Sequence, residues 1–304
     1  MDAIAIRGVS KSFGQTAAVD DLSLTVPRGS LYGFIGPNGS GKTTTLRMIM
    51  RILMPDRGEV EVLGETSSRS ARDRVAYLPE ERGLYKKMAV GRLIRYYARL
   101  KGLHGPELDL GVNTWLERMG LADWADKKVD ALSKGMAQKV QFIAAVVAKP
   151  DVLILDEPFS GLDPVNAEVL KDAILDLKRQ GTTIVFSTHD MSVAEQLCDR
   201  IFMIFKGKKV LDGSLDEIQE LYGYDTLKVR TAAGASVLDE IDLIDGYNDQ
   251  GNYQEVRTEA DPQAVLAALI ARTQVLHFEI ARPSLRDIFV RIANPEPEGA
   301  EIHA

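Results

Sequence analysis

Three groups of residues in this 304-residue chain have the types and spacing to handle a polyphosphate. The first is GPNGSGKTT, made of Gly36, Pro37, Asn38, Gly39, Ser40, Gly41, Lys42, Thr43 and Thr44. It follows the apolar segment LYGFI and precedes TTTLRMIMRIL, in which Leu46, Ile49 and Leu53 share one helical face. A glycine loop between a strand and a helix presents backbone N–H groups and a helix dipole to phosphates. Lys42 is then placed to reach the β- and γ-phosphates, and the Thr43 hydroxyl to ligate Mg²⁺. A bare glycine turn before a helix is the plainer alternative. The second group is Asp156 and Glu157, which end the apolar run VLIL. Carboxylates at the end of a buried strand are costly unless a cation or a reacting water engages them. Asp156 suits the metal, and Glu157 suits orienting and deprotonating the attacking water. A simple strand-end turn, DEPFSG, is the alternative. The third is His189, directly after TIVFST, whose neutral ring could hydrogen-bond a γ-phosphate. A structural cap is its other reading.

The elements that must position these groups read as α/β. AIAIRGV and LSLTVPRG alternate like half-buried antiparallel strands, with Pro27, Arg28 and Gly29 supplying a turn. LYGFI, Val75 to Leu78, DVLILDEP and TTIVFSTHD are short apolar runs of the kind buried on both faces of a parallel sheet. Residues of about 88–150 form a mostly helical insert, interrupted by KGLHGPE and by LSKG. IFMIFKGKKVLDG reads as a closing hairpin and DEIQELYG as a connecting helix, which puts a boundary near Tyr222. From 223 to 293 the pattern is strand, weak helix, strand, a helix begun by Asp261 and Pro262, the strand TQVLHFEI and the helix PSLRDIFVRI, a small α+β domain. The acidic, proline-rich 294–304 reads as a frayed tail.

Composition narrows the partners. A formal charge of -7 opposes a polyanion as main partner, so nucleic acid is not expected. Cys198 is the single cysteine and has no mate for a disulfide, and MDAIAIRG lacks the basic-then-apolar order of a secretory leader, so the expected compartment is the cytoplasm. The longest apolar stretches fall far short of the roughly 20 residues that span a bilayer. Any membrane role must therefore run through a partner.

A second helix start is the residual puzzle. In LSKGMAQ, Ser133 is a good N-cap and the Gly135 backbone can approach an anion closely, although a capped helix needs no ligand. GPNGSGKTT, LSKGMAQ, VLILDEP, SGLD and STHD, in this order, resemble the ATP-binding cassette ATPases of ABC transporters over Ile4 to about Gly213. The resemblance implies a P-loop NTPase with a parallel core sheet, an antiparallel β subdomain and a helical subdomain, spanning 1–222 with the C-terminal domain beyond. It also implies that Ser133, Gly135 and Asp163 serve the nucleotide of a second subunit, two ATP-Mg being sandwiched head to tail. Phe13 matches the aromatic that stacks on adenine, with an ordinary core role as its alternative. Two positions depart from the family pattern. Lys134 and Met136 replace a glycine and the glutamine of the usual LSGGQ, and Glu80, in YLPEERGLY, stands where glutamine is general. A carboxylate at 80 binds Mg²⁺ more strongly than an amide, making Glu80 a candidate metal ligand.

YLPEERGLY, KGM and RPSLRDIFVRI are further similar to bacterial sodium-export and multidrug-export ATPases that work with a separate permease, and Arg82 to Val90 would lie near the groove receiving a permease helix. The implied protein is an ATP-hydrolysing dimer, peripheral on the cytoplasmic face of the membrane. DNA-repair cassettes carry a long coiled-coil insertion and translation-associated ones join two cassettes, neither of which this chain has. A regulatory module that binds nucleotide without turnover is the remaining alternative.

Overall fold

The computed structural model describes residues 2–66, 73–81, 83–222 and 226–293, and the expected tail lies outside them. The chain divides after Asp212 into two compact units.

In the first unit, alternation builds a three-stranded antiparallel sheet from β1 (Asp2–Phe13), β2 (Thr16–Pro27) and β4 (Arg57–Val62), in the order β2-β1-β4. The apolar runs build a six-stranded sheet from β3 (Leu31–Ile35), β5 (Val75–Leu78), β6 (Val152–Asp156), β7 (Thr183–Thr188), β8 (Arg200–Phe205) and β9 (Lys208–Gly213). Its order is β5-β6-β7-β3-β8-β9, with the ladders from β5 through β8 parallel. Period-two geometry explains why β6 is apolar as far as Leu155. Leu153 and Leu155 point into a core shared with the helical insert, while Val152 and Ile154 point into a core shared with the antiparallel sheet. The insert comprises α2 (Val90–Leu100), α3 (Gly105–Arg118) and α4 (Lys134–Val146). Helices α1 (Lys42–Ile49), α5 (Pro164–Arg179) and α6 (Met191–Leu197) follow β3, β6 and β7. Because these strands are parallel, Glu80, Asp156, His189 and the glycine loop all emerge at one carboxyl edge.

Close packing of α6 on β3 rests on Gly33. A Cβ there would stand 2.5 Å from the Cys198 sulfur and 3.8 Å from Ala194 Cβ. Burial pushes the Cys198 thiol far above its usual pKa range.

In the second unit, α7 (Leu215–Leu221) precedes β10 (Thr226–Thr231), β11 (Gly246–Asp249), β12 (Gln254–Arg257), α8 (Pro262–Ile270), β13 (Val275–Ala281) and α9 (Leu285–Ala293). The boundary thus falls earlier than Tyr222. Helix α7 belongs here because Gln219 Nε2 donates to Pro283 O at 2.9 Å and Arg282 pairs with Asp216. The sheet order β11-β12-β10-β13, antiparallel at each step, is the split β-α-β-β-α-β arrangement with a 3₁₀ turn, Ala235–Glu240, in the first helical place. Where the sequence pattern suggested a single strand between weak helix and α8, two short strands form a hairpin. Leu227, Val229, Val256, Val265 and Leu269 lie at its buried centre.

Candidate functional site

Strand β3 is buried along its whole length and delivers the chain into the glycine loop. Two of its glycines are sterically required. A Cβ on Gly36 would stand 2.2 Å from Ile204 O, and one on Gly41, at φ 113°, would stand 2.5 Å from Ala18 O. Helix α1 opens immediately after Gly41, so its first-turn amides lack intrahelical acceptors. Asn38, Gly39, Gly41, Lys42, Thr43 and Thr44 line a cleft of about 260 Å³ together with Ala18, Glu80 and Glu157. Lys42 is buried; its Nζ donates to Gly36 O at 2.7 Å and Pro37 O at 3.2 Å, and lies 4.0 Å from Glu157 Oε1. Burial lowers the Lys42 pKa, with Glu157, Asp156 and Glu80 pulling the other way. The Ser40 hydroxyl is buried with no hydrogen-bond partner among the described residues, while its carbonyl accepts from Gly207 N at 2.9 Å.

Asp156 is buried at the end of β6 and held by three hydroxyls. Oδ1 accepts from Ser187 at 2.5 Å and from Thr43 at 3.3 Å, and Oδ2 accepts from Tyr77 at 3.2 Å. Burial, then the Asp156 charge, push the Tyr77 pKa up to about 12. Glu157 occupies the left-handed region at φ 49°, a conformation costing about 1–2 kcal/mol in an L-residue. Its amide meets Ser187 O and Oγ, both at 3.2 Å. Glu157 Oε1 then lies 3.0 Å from His189 Nδ1.

His189 is not a cap. Asp190 caps α6, accepting from Ser192 N at 3.0 Å and Val193 N at 3.4 Å. An ionised Glu157 can only accept, so the proton belongs on Nδ1, and a neutral ring then has none at Nε2. Donation to a γ-phosphate therefore needs the imidazolium or a proton on Glu157.

Besides Gly36, Pro37, Ser40, Asp156 and His189, the expected site residues Ser133, Gly135, Asp163 and Phe13 also stand outside the lining of this cleft. Ser133 caps α4, accepting from Met136 N at 3.2 Å. Gly135 packs toward Leu162 and Asn166. Asp163 caps α5, accepting from Asn166 N at 3.0 Å, and Asn166 holds its pKa below the usual carboxylate range, first through this amide and then through its side chain. Phe13 is 54% exposed, which removes its core alternative, with Lys11 Nζ 5.9 Å from the ring centre.

The donor set suits a magnesium nucleotide. Thr43, Asp156 and Glu80 supply oxygens, and among the described residues no three His, Cys, Asp or Glu side chains gather as a protein-only metal cage. Mg²⁺ usually takes one or two carboxylates plus phosphate oxygens, so this arrangement fits it.

Comparison with known proteins decides the family. Residues 19–160 match the ABC transporter family, and 213–293 match the C-terminal domain of DrrA1-3-like ATP-binding proteins. The ABC transporter ATP-binding protein YhaQ of Bacillus subtilis (strain 168) is 42% identical over 289 residues, 94% of this chain and 97% of the relative. The chain belongs to the ABC transporter ATP-binding proteins. This ABC protein is also 34% identical to the Nod factor export ATP-binding protein I of Burkholderia lata over 96% of its length and 97% of the relative's. A solved ATP-binding subunit of an ABC transporter superposes with a TM-score of 0.69 at 30% identity, covering 73% of this chain and 93% of that one. The structure of cbiO1 from Clostridium perfringens, part of the complex cbiONQ, gives 0.64 at 26% identity, covering 71% and 90%. The fold is therefore the ABC cassette of the P-loop α/β class. Among the described residues no helix is long and apolar enough to cross a membrane.

Proposed function

We propose that this ABC protein hydrolyses ATP as one of two subunits joined head to tail, and that it drives a separate permease, most simply for export. The observation carrying the reading is the position of Glu157, 3.0 Å from His189 and 4.0 Å from Lys42 at the edge of the phosphate cleft. Glu157 orients a water and takes its proton as the water oxygen bonds to the γ-phosphorus and the β–γ bridge breaks to release ADP. Lys42 and the loop amides hold the phosphates, and His189 fixes the carboxylate. A bound Mg²⁺, held by Thr43, Asp156 and Glu80, would neutralise charge on the phosphate oxygens.

Ser133, Gly135 and Asp163 lie outside the cleft lining, which supports assigning them to a second subunit's nucleotide. Phe13, exposed at the end of β1, is assigned to the adenine. The insert helices, of 11, 14 and 13 residues, do not form the long arm of a chromosome-organising cassette. Export is supported by the Nod factor export relatives. On this reading the protein sits on the cytoplasmic face of the membrane through its permease, with the residues up to 212 as the cassette and 213–293 as an accessory domain.

Steady-state phosphate release tests the chemistry. Glu157→Gln should bind ATP yet lose about 10²- to 10⁴-fold in rate. Equal rates would reassign the protein as a regulatory nucleotide-binding module. Cysteines at Ser133 and Asn38 should crosslink between subunits only with ATP present. Co-purification with a six-span membrane protein encoded beside it, and substrate efflux from vesicles holding both, would test export.

A further inference from the structure

One stripe of α4 is zipped to the turn that follows β6. Gln138 Nε2 donates to Pro158 O at 3.2 Å. Gly135 faces the next part of the turn, where an added Cβ would lie 3.5 Å from Leu162 and 3.6 Å from Asn166. Lys139 lies within electrostatic reach of Asp163. The remaining contact comes from Lys134. Its side chain lies over Gly161, so that a Cβ on that glycine would stand 2.7 Å from Nζ, 2.9 Å from Cε and 3.5 Å from Cδ. Gly161 has φ 70°, so the turn is bent sharply just where the lysine crosses it. Beyond Gly161, Lys134 borders a cavity of about 450 Å³ lined also by Glu80, Glu81, Gln138, Glu157 and Ser160.

A glycine at position 134, the usual residue of the family, has no side chain with which to make this contact. Long lysine stems can lie along neighbouring surfaces, and here Cδ, Cε and Nζ all lie close to Gly161, in a residue that also borders a cavity with three carboxylates. We propose that Lys134 is a positioning residue, a strap whose methylenes bind the turn 160–163 to α4 so that Ser133, Gly135 and Asp163 move as one piece. The kinetic consequence rests on the two-subunit reading above, whereas the strap itself does not.

Hydrogen exchange of the amides at 160–163 in the full, nucleotide-free chain reads the strap directly. Lys134→Ala should quicken exchange there about fivefold, at an unchanged melting temperature, because local opening loses its restraint without loss of core. Lys134→Met keeps the length of the stem and should match the wild type. With ATP, Lys134→Ala should lower kcat about fivefold at constant KM, and Lys134→Met should restore it. Unchanged exchange in Lys134→Ala, a Met variant as fast as the Ala variant, or an Ala variant with wild-type kcat would each overturn the proposal. A chain that hydrolyses no ATP but keeps the exchange contrast would retain the strap and overturn the hydrolysis reading instead.

Discussion

Asp156 shows how a buried charge is made tolerable one hydroxyl at a time. Ser187, Thr43 and Tyr77 each donate to it, and only Thr43 is available to serve a nucleotide as well. Tyr77→Phe leaves Oδ2 short of a donor in a buried place, a deficit of about 1–3 kcal/mol. Thermal or urea unfolding should register it, alongside a weaker nucleotide affinity. Glu80 poses the opposite test, because it lines the cleft and no hydroxyl among the described residues holds it as Asp156 is held. Glu80→Gln should raise the Mg²⁺ concentration for half-maximal hydrolysis about tenfold or more, since an amide is the poorer ligand. An unaltered magnesium titration would remove Glu80 from the metal site.

Elements decide whether those residues meet. Gly33 lets α6 lie against β3, so Gly33→Ala must displace Cys198 or the strand and should cost about 1–3 kcal/mol, measurable by chemical denaturation. Asp190 starts the same helix; Asp190→Ala should cost about 1 kcal/mol near neutrality. Hydrogen bonds, first from the Ser192 side chain and then from the Val193 and Ser192 amides, depress its pKa in the folded state. Its contribution is therefore present above the usual carboxylate range and lost as pH falls through the depressed value, so the two proteins should converge in stability in strong acid. Much of this level was legible beforehand. An apolar run as short as VLIL reads as a strand covered on both faces, since it is too short for a buried helix, and a glycine loop between strand and helix has few other uses. The hairpin of β11 and β12 was not legible, because GYND and QEVR are too short and polar to alternate clearly. Nor were Tyr77 and Ser187, since hydroxyls far from Asp156 in sequence reach it only through the order of β5, β6 and β7. The pairing of Glu157 with His189 follows from the left-handed turn at Glu157, which no periodicity announces.

At the scale of the molecule, two units with separate cores imply damage that can be confined. Leu269 is fully buried in the second core, and Leu269→Ala should cost that unit about 2–5 kcal/mol. Exchange monitored by mass spectrometry should show β10 to β13 loosened while β3, β6 and β7 keep their protection. Protection lost in both units alike would mean that they unfold together.

Cys198 carries one more consequence. The sole sulfhydryl of the chain sits against Gly33 and resists ionisation. Alkylating reagents attack the thiolate, so the native chain should react slowly with maleimides and iodoacetamides, which a timed labelling followed by mass spectrometry would check. A fluorophore or spin probe could thus be installed at any chosen surface position without first deleting a competitor.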